Sequence, residues 1–324
     1  MSNTRQEIWP KVTVVIVNWN SEHFLDRCLS ALLAQTVTPH EIILVDNASS
    51  DASPGILHHF PSVRVLAQNK NLGFARGNNQ AIKAASPDTE WIAFLNPDAF
   101  AEPRWLEILL LTARDYPAFA MFSGRLVNAT DPELLDGAGD AYHISGRVRR
   151  IGHGQRMRSF AVRKHEVFSP CAAAALYRQS ALLEAGGFDD DYFCYVEDVD
   201  LGFRLRLLGY RCLYVPDSIA HHIGSAITGD RSDFSVYHGH RNLVWTYVKD
   251  MPGILFWLLL PIHLAFNFAA VIYFTMRGQG RIILRAKRDA IKGISKMWHK
   301  RRQIQNSRRA SVMDIWRMLD KHIL

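Results

Sequence analysis

Cysteine is scarce in this 324-residue chain. Its four thiols, Cys28, Cys171, Cys194 and Cys212, lie far apart and form no Cys-x-x-Cys pair. A disulfide scaffold and a cysteine-based zinc site are therefore not expected, and a reducing compartment fits. No Gly-x-Gly-x-x-Gly follows the first strand-like run and no Walker A loop occurs, which argues against a dinucleotide-binding Rossmann domain and a P-loop nucleotidase. His-Glu-x-x-His and Gly-x-Ser-x-Gly are also missing, so zincin and serine-hydrolase chemistry have no anchor. Met1 to Pro10 is polar, with no basic-then-apolar leader, and a secretory signal is not expected. Extremes of composition are absent too: 48% hydrophobic and 21% charged residues exclude a disordered or collagen-like chain.

What is present is unevenly distributed. Arg277 to Leu324 holds 14 Lys and Arg against 3 Asp and Glu, which leaves a net charge of −4 on the preceding body although the whole chain is +7. Such a body suits phosphate-backbone binding poorly, and no nucleic-acid partner is expected; the tail suits an anionic membrane surface. Just before it, Ile254 to Met276 carries no formal charge over 23 residues, long enough to span a bilayer, with Pro261, His263 and Asn267 as interruptions. The positive-inside rule puts the basic tail in the cytoplasm. If the body is also cytoplasmic, one clean span cannot satisfy both ends, whereas an in-plane or re-entrant helix pair bent near Pro261 can. Ile282 to Ile304 then sets Arg and Lys around Ile283, Leu284, Ile291, Ile294 and Trp298, as an interfacial amphipathic helix does. A buried helix pair or an oligomer interface is the competing reading. Trp245, Tyr247, Phe256 and Trp257 suit the edge of a membrane segment.

The first hundred residues alternate strand and helix signals. Val12–Val17, Glu41–Val45, Val63–Ala67 and Trp91–Leu95 read as strands. Ser21 stands where it can cap a helix with apolar positions Leu25, Cys28, Leu29 and Leu32, Asp51 to Phe60 reads as a short helix, and Gly73 to Ala85 as a loop running into a helix. Repeating β-α units imply a mostly parallel, doubly wound sheet that binds ligands beyond the carboxyl ends of its strands. Asn18, Asn20, Asp46, Asn47 and Asp98 fall at those ends. Tyr116 to Phe168 has a weak signal and reads as a mobile, solvent-facing segment beside the site. Further on, Gly186-Gly187 closes a short helix and Gly209 ends another that follows an acidic run. The expected organisation is an extension over 1–10, an α/β domain over 11–250, and a helical, membrane-associated tail over 251–324.

The candidate chemistry lies in loop carboxylates. A strand-end carboxylate can hold Mg²⁺ or Mn²⁺ against a diphosphate, and a second can deprotonate an acceptor hydroxyl. Val15-Ile-Val-Asn-Trp-Asn20, Val45-Asp-Asn-Ala-Ser-Ser-Asp51, Asn69-Lys-Asn-Leu-Gly-Phe-Ala-Arg-Gly-Asn-Asn79 and Leu95-Asn-Pro-Asp98 resemble successive motifs of family 2 glycosyltransferases. Gly186-Gly-Phe-Asp189, Tyr195-Val-Glu-Asp-Val-Asp-Leu201 and His222-Ile-Gly-Ser225 continue the series in order, in a manner similar to the bacterial rhamnosyltransferase-like branch. The resemblance implies a GT-A fold, a nucleotide-sugar donor, Mg²⁺ or Mn²⁺, and inversion at the anomeric carbon. It assigns Asp46 and Asn47 to the base and ribose, and Val17, Asn18, Asn20, Asn71, Gly73, Arg76, Asn78 and Asn96 to the donor nucleotide. Asp98 becomes the metal ligand with His222 completing the site, and Glu197-Asp198 becomes the catalytic pair with Asp198 as base. Asn47 stands where Asp is common, which leaves uracil and thymine both open. A further implication is a dTDP- or UDP-sugar, rhamnose foremost, moved to a glycan or polyprenyl-diphosphate-linked acceptor on the cytoplasmic face of a bacterial inner membrane. The alternative is a catalytically inactive nucleotide-sugar-binding or scaffolding protein.

Overall fold

The computed structural model describes residues 9–157, 159–224 and 231–322. Most of the N-terminal extension and Ser225 of the last motif lie outside the described residues.

The chain begins as a β-α succession: β1 (Val12–Asn18), α1 (Glu22–Leu33), β2 (Glu41–Asp46), α2 (Ser53–Ile56), β3 (Arg64–Ala67), α3 (Gly73–Ala84) and β4 (Trp91–Leu95). β1 is buried along its whole length. Its alternate residues serve two cores. Val12, Val14 and Ile16 pack with Leu25, Cys28, Leu29 and Leu32 of α1, while Val15 and Val17 pack with Ala75, Ala81 and Ile82 of α3. Coverage on both faces is why a parallel strand reads as an unbroken apolar run. Ser21 does sit at the N-cap, but its side chain makes no capping bond. Asp51 Oδ2 accepts from the Glu22 N–H at 2.9 Å instead.

β5 (Ala99–Ala101), α4 (Trp105–Asp115) and β6 (Met121–Asn128) follow, then the short strands β7 (Leu135–Gly137), β8 (Asp140–Tyr142), β9 (Val148–Arg150) and β10 (His165–Val167). β11 (Ala174–Arg178), α5 (Gln179–Glu184), α6 (Glu197–Leu207) and β12 (Cys212–His222) complete the body. The main sheet runs β10-β12-β6-β11-β4-β1-β2-β3. β4, β1, β2 and β3 are mutually parallel, as the repeating units imply. β11 is antiparallel to both neighbours, so the far half of the sheet is mixed. The weak-signal segment over 116–168 is not a mobile loop. β6 is an interior strand, paired with β11 and β12, and β8 and β9 form a separate hairpin.

The described residues end in five helices: α7 (Asp233–Asp250), α8 (Gly253–Met276), α9 (Gly280–Lys292), α10 (Ile294–Asn306) and α11 (Val312–Met318). α8 runs through Pro261 as one helix rather than as a pair bent there. Gly293 separates α9 from α10 where any side chain would strike the Trp245 ring, 2.6 Å from an added Cβ. A third core joins Tyr142, Phe168, Tyr192 and Phe203 of the body to Trp245, Tyr247, Phe256 and Met297 of these helices. Three of the four aromatics assigned to a membrane edge are therefore core residues, and only Trp257, 63% exposed, faces outward.

Candidate active site

A cleft of about 880 Å³ lies over the carboxyl ends of β1, β2 and β4, closed on the far side by the start of α6, the end of β12 and one face of α7. Nine of the residues singled out in the sequence line it: Val17, Asn47, Asn71, Gly73, Asn96, Asp98, Glu197, Asp198 and His222. Asn18 and Asp46 stand just behind this rim, buried and bonded to each other at 2.9 Å. Asp46 also accepts from Ser49 Oγ at 2.6 Å. Asn20 holds the neighbouring turn, with φ 50° and its Oδ1 accepting from the Ser50 N–H. Two candidates point elsewhere. Arg76 pairs with Asp190 at 3.5 Å, and Asn78 is buried, donating to the Phe74 carbonyl within α3.

Gly73 ties two walls of the cleft together. Its carbonyl accepts from Asn47 Nδ2 at 3.2 Å and its N–H donates to Asn71 Oδ1 at 2.8 Å. Its φ of +79° and the Phe193 carbonyl and ring, 2.6 Å from an added Cβ, leave room for glycine alone.

Asp98 and His222 form the second feature. Both are buried, and His222 Nε2 lies 3.3 Å from Asp98 Oδ1. On the other side of the ring, Nδ1 is 2.8 Å from Asp136 Oδ2. A carboxylate on the outer nitrogen is the arrangement that orients a metal-ligating imidazole. Burial opposes charge on His222, yet its hydrogen bonds to Asp136 and Asp98 raise its pKa to about 9. The spot thus favours positive charge. Asn96 Nδ2 is 3.5 Å from the same Nε2, and Asn96 Oδ1 is buried without a partner among the described residues. One carboxylate, one imidazole and an unclaimed amide oxygen fit a hard divalent cation that takes its remaining ligands from a diphosphate.

The third feature is the start of α6. Phe193, Tyr195 and Val196 all adopt positive φ, between 66° and 69°. For a β-branched residue such as Val196 that conformation is sparsely populated and needs outside support. Asn242 of α7 supplies it. Its Nδ2 donates to the carbonyls of Tyr192, Cys194 and Tyr195 at 2.8–3.0 Å, and Arg241 adds bonds to the Asp191 and Tyr192 carbonyls. This loop delivers Glu197 and Asp198 to the cleft in the first turn of the helix, where the dipole favours a negative charge.

Of the two carboxyls, Asp198 is the better placed to carry charge. Burial first, then the neighbouring Asp198 charge, pushes Glu197 far up, and its Oε2 has no partner among the described residues. Asp198 is raised less, again chiefly by burial, because it accepts the N–H groups of Ala172 at 3.2 Å and Val199 at 2.8 Å and has Arg150 nearby. Opposite it, burial and the Asp198 charge raise Asp140 to about 8. Asp140, Cys171 and Asp198 bring ligand atoms within 4.8 Å of one another, but burial keeps the Cys171 thiol protonated. This trio therefore reads as an environment for one basic carboxylate. Asp200, buried in the same turn, pairs with Arg204 and Lys249 behind the cleft.

Sequence reasoning assigns no site role to Asp136, Asp140 and Phe193, includes Trp19 only inside a motif, and includes Arg150 and His153 only as basic residues of a segment beside the site; all six line the cleft. The buried Asp136 alone binds His222, Arg150 and His153. The one local signal was Asp136-Gly-Ala-Gly-Asp140, two acids around a glycine-rich turn.

Residues 13–186 match the model of "Glycosyl transferase family 2", and residues 141–276 that of "Glycosyl transferase family group 2". The chain is a family 2 glycosyltransferase. It is similar to the N-acetylglucosaminyl-diphospho-decaprenol L-rhamnosyltransferase of Mycobacterium tuberculosis, 28% identical over 73% of this chain and 83% of that protein. Rhamnosyltransferase WbbL of Escherichia coli K12 is likewise 28% identical, over 73% of this chain and 92% of its own. Among solved structures, GalNAc-T7 with UDP, GalNAc and Mn²⁺ superposes with a TM-score of 0.60 at 15% identity, over 75% of this glycosyltransferase and 48% of that chain. That likeness is one of GT-A fold.

Proposed function

We propose that this glycosyltransferase moves rhamnose from dTDP-rhamnose, with inversion, onto a polyprenyl-diphosphate-linked or cell-surface glycan at the cytoplasmic face of the bacterial inner membrane. The reading rests most heavily on one observation. The Asn47–Gly73 rim, the Asp98–His222 pair and the Glu197-Asp198 turn, far apart in sequence, open onto a single cleft. The rhamnosyltransferases among its relatives support the sugar, and a relative named for a diphospho-decaprenol substrate supports the lipid-linked acceptor.

The geometry supports the following chemistry. The nucleotide lies along the strand ends, against Val17, Asn47 and Gly73, with its diphosphate toward Asp98. An acceptor hydroxyl attacks the anomeric carbon from the face opposite the diphosphate. A new C–O bond forms as the bond to the diphosphate oxygen breaks, and the hydroxyl proton passes to Asp198. Asp98 and His222, with Asn96 beside them, would hold Mg²⁺ or Mn²⁺, whose charge neutralises the departing nucleoside diphosphate. Burial and the Asp198 charge hold Glu197 toward its neutral form, so the negative charge at the base lies chiefly on Asp198.

The metal assignment has its own test. Asp98→Ala should remove the dependence of nucleotide binding on Mn²⁺, measured by calorimetry of UDP and dTDP with and without the ion, while the melting profile stays that of a folded protein. Binding that keeps its full metal dependence in this variant would take Asp98 out of the site.

A further inference from the structure

We infer that α8 and α9 dock this enzyme onto an anionic bilayer in the plane of the membrane, with α8 half-sunk and not spanning. The inference rests on the membrane-bound acceptor proposed above, and it deepens that reading. α8 is long and apolar enough to cross a bilayer, yet only 28% of its most apolar stretch is buried, so it is not the core helix of a soluble domain. The buried part falls on one face. Phe256 accepts from Tyr247 Oη through its carbonyl at 2.6 Å. His263 stacks on Tyr247 at 3.9 Å and bonds to the Ser145 carbonyl at 2.8 Å. Asn267 Oδ1 accepts from Lys287, and Phe274 meets His240 edge-on at 4.8 Å. These anchors run from residue 256 to 274, about 27 Å at 1.5 Å per residue.

A helix fastened to the body over nearly the thickness of a hydrocarbon core, about 30 Å, cannot also stand upright in it. Inserting it would strip His263 of the Ser145 carbonyl and would either part Asn267 from Lys287 or drag that lysine into lipid, each an unfavourable burial of a polar group. The opposite face is what lipid would meet. Trp257, Leu258, Leu264, Phe268 and Met276 are 59–83% exposed along it. α9, packed against α8, carries exposed Arg281, Arg285, Arg288 and Lys292 at helical spacing, with exposed Leu284 and Ile291 among them. Apolar side chains beside a cationic stripe fit a surface of acyl chains under anionic headgroups. The arrangement also leads to the cleft. Tyr237 of α7 takes Arg285 over its ring and bonds to Asp289 of α9, while Phe234 and Gly239 of α7 line the cleft.

The test uses the full chain and vesicles, with no sugar donor, so a wrong donor or acceptor leaves its result intact. The protein should sediment with vesicles of equal phosphatidylglycerol and phosphatidylcholine, bind phosphatidylcholine alone much more weakly, and be released by alkaline carbonate. Trp257→Glu with Phe268→Glu should weaken binding by about 100-fold, given the usual worth of burying two such rings. Arg281→Gln, Arg285→Gln and Arg288→Gln should each reduce it by about fivefold. All replaced side chains are exposed, and an unchanged melting profile verifies the fold. Three results would overturn the proposal: resistance to carbonate, vesicle binding indifferent to the glutamates, or no vesicle binding by a protein that is a dimer which Phe268→Glu splits.

Discussion

Asp198→Asn should lower sugar transfer by about 10²- to 10⁴-fold, the usual contribution of a positioned general base, without weakening nucleotide binding. The amide keeps the shape and can still accept one of the Ala172 and Val199 N–H groups, which bond to different oxygens of the carboxylate, but it cannot take the acceptor proton. Asp98, His222 and the strand-end rim are untouched. In the unaltered enzyme, burial holds the Asp198 pKa above the ordinary carboxylate range. Transfer needs the ionised form, so activity should fall as pH drops through that raised value, at higher pH than a solvent-exposed aspartate would give. Rates for the two proteins across a pH series check both statements. Transfer by Asp198→Asn at an undiminished rate would place the base elsewhere, with Asp140 the next carboxyl in reach.

The second large effect is on stability. Lys249→Met should destabilise the fold by about 3–5 kcal/mol, the range for removing one partner of a buried ion pair. Lys249 is fully buried. It pairs with Asp189 at 2.6 Å and more tightly with Asp200, and Arg204 reaches Asp200 at 2.9 Å. Lys300 of α10 grips Asp189 as well, and binds Asp191 at 2.7 Å. The network fastens the Gly186–Asp191 loop, α6, α7 and α10 together directly behind the catalytic turn. Methionine fills the space but strands Asp200 without its nearest cation. Chemical denaturation should show the loss as a lower midpoint. A change of less than about 1 kcal/mol, typical of exposed pairs, would mean that water reaches this network.

How much of this was written locally in the chain varies with the element. β1, β2 and β4 are legible because both of their faces are covered, which turns each into an unbroken apolar run. β6 is not, because Ser123, Gly124 and Arg125 interrupt it. Its strand conformation comes from β11 on one side and β12 on the other. Gly124 is there because any Cβ would approach the Ser218 carbonyl to 2.9 Å. The same divide runs through the site. Asn47, Gly73, Asp98 and Asp198 announce themselves by ending strands or opening helices. Asp136 gives no such sign, since it acts by meeting a histidine 86 positions later. Arg76 and Asn78 share a motif with Gly73, but the helical turn between them rotates their side chains away from the cleft. In α8, apolar residues surround the helix, so its sequence does not reveal which face packs on the body.

The central claim is a metal-dependent transfer from one nucleotide sugar, and one assay tests it most directly. The purified enzyme is offered dTDP-rhamnose, UDP-sugars and GDP-sugars with a bacterial lipid-linked glycan extract, with Mn²⁺ or Mg²⁺ and again with EDTA. Transfer of rhamnose from its dTDP donor, abolished by EDTA and restored by added cation, is the expected result. Equal turnover in EDTA, or turnover of another donor in preference, would contradict the account.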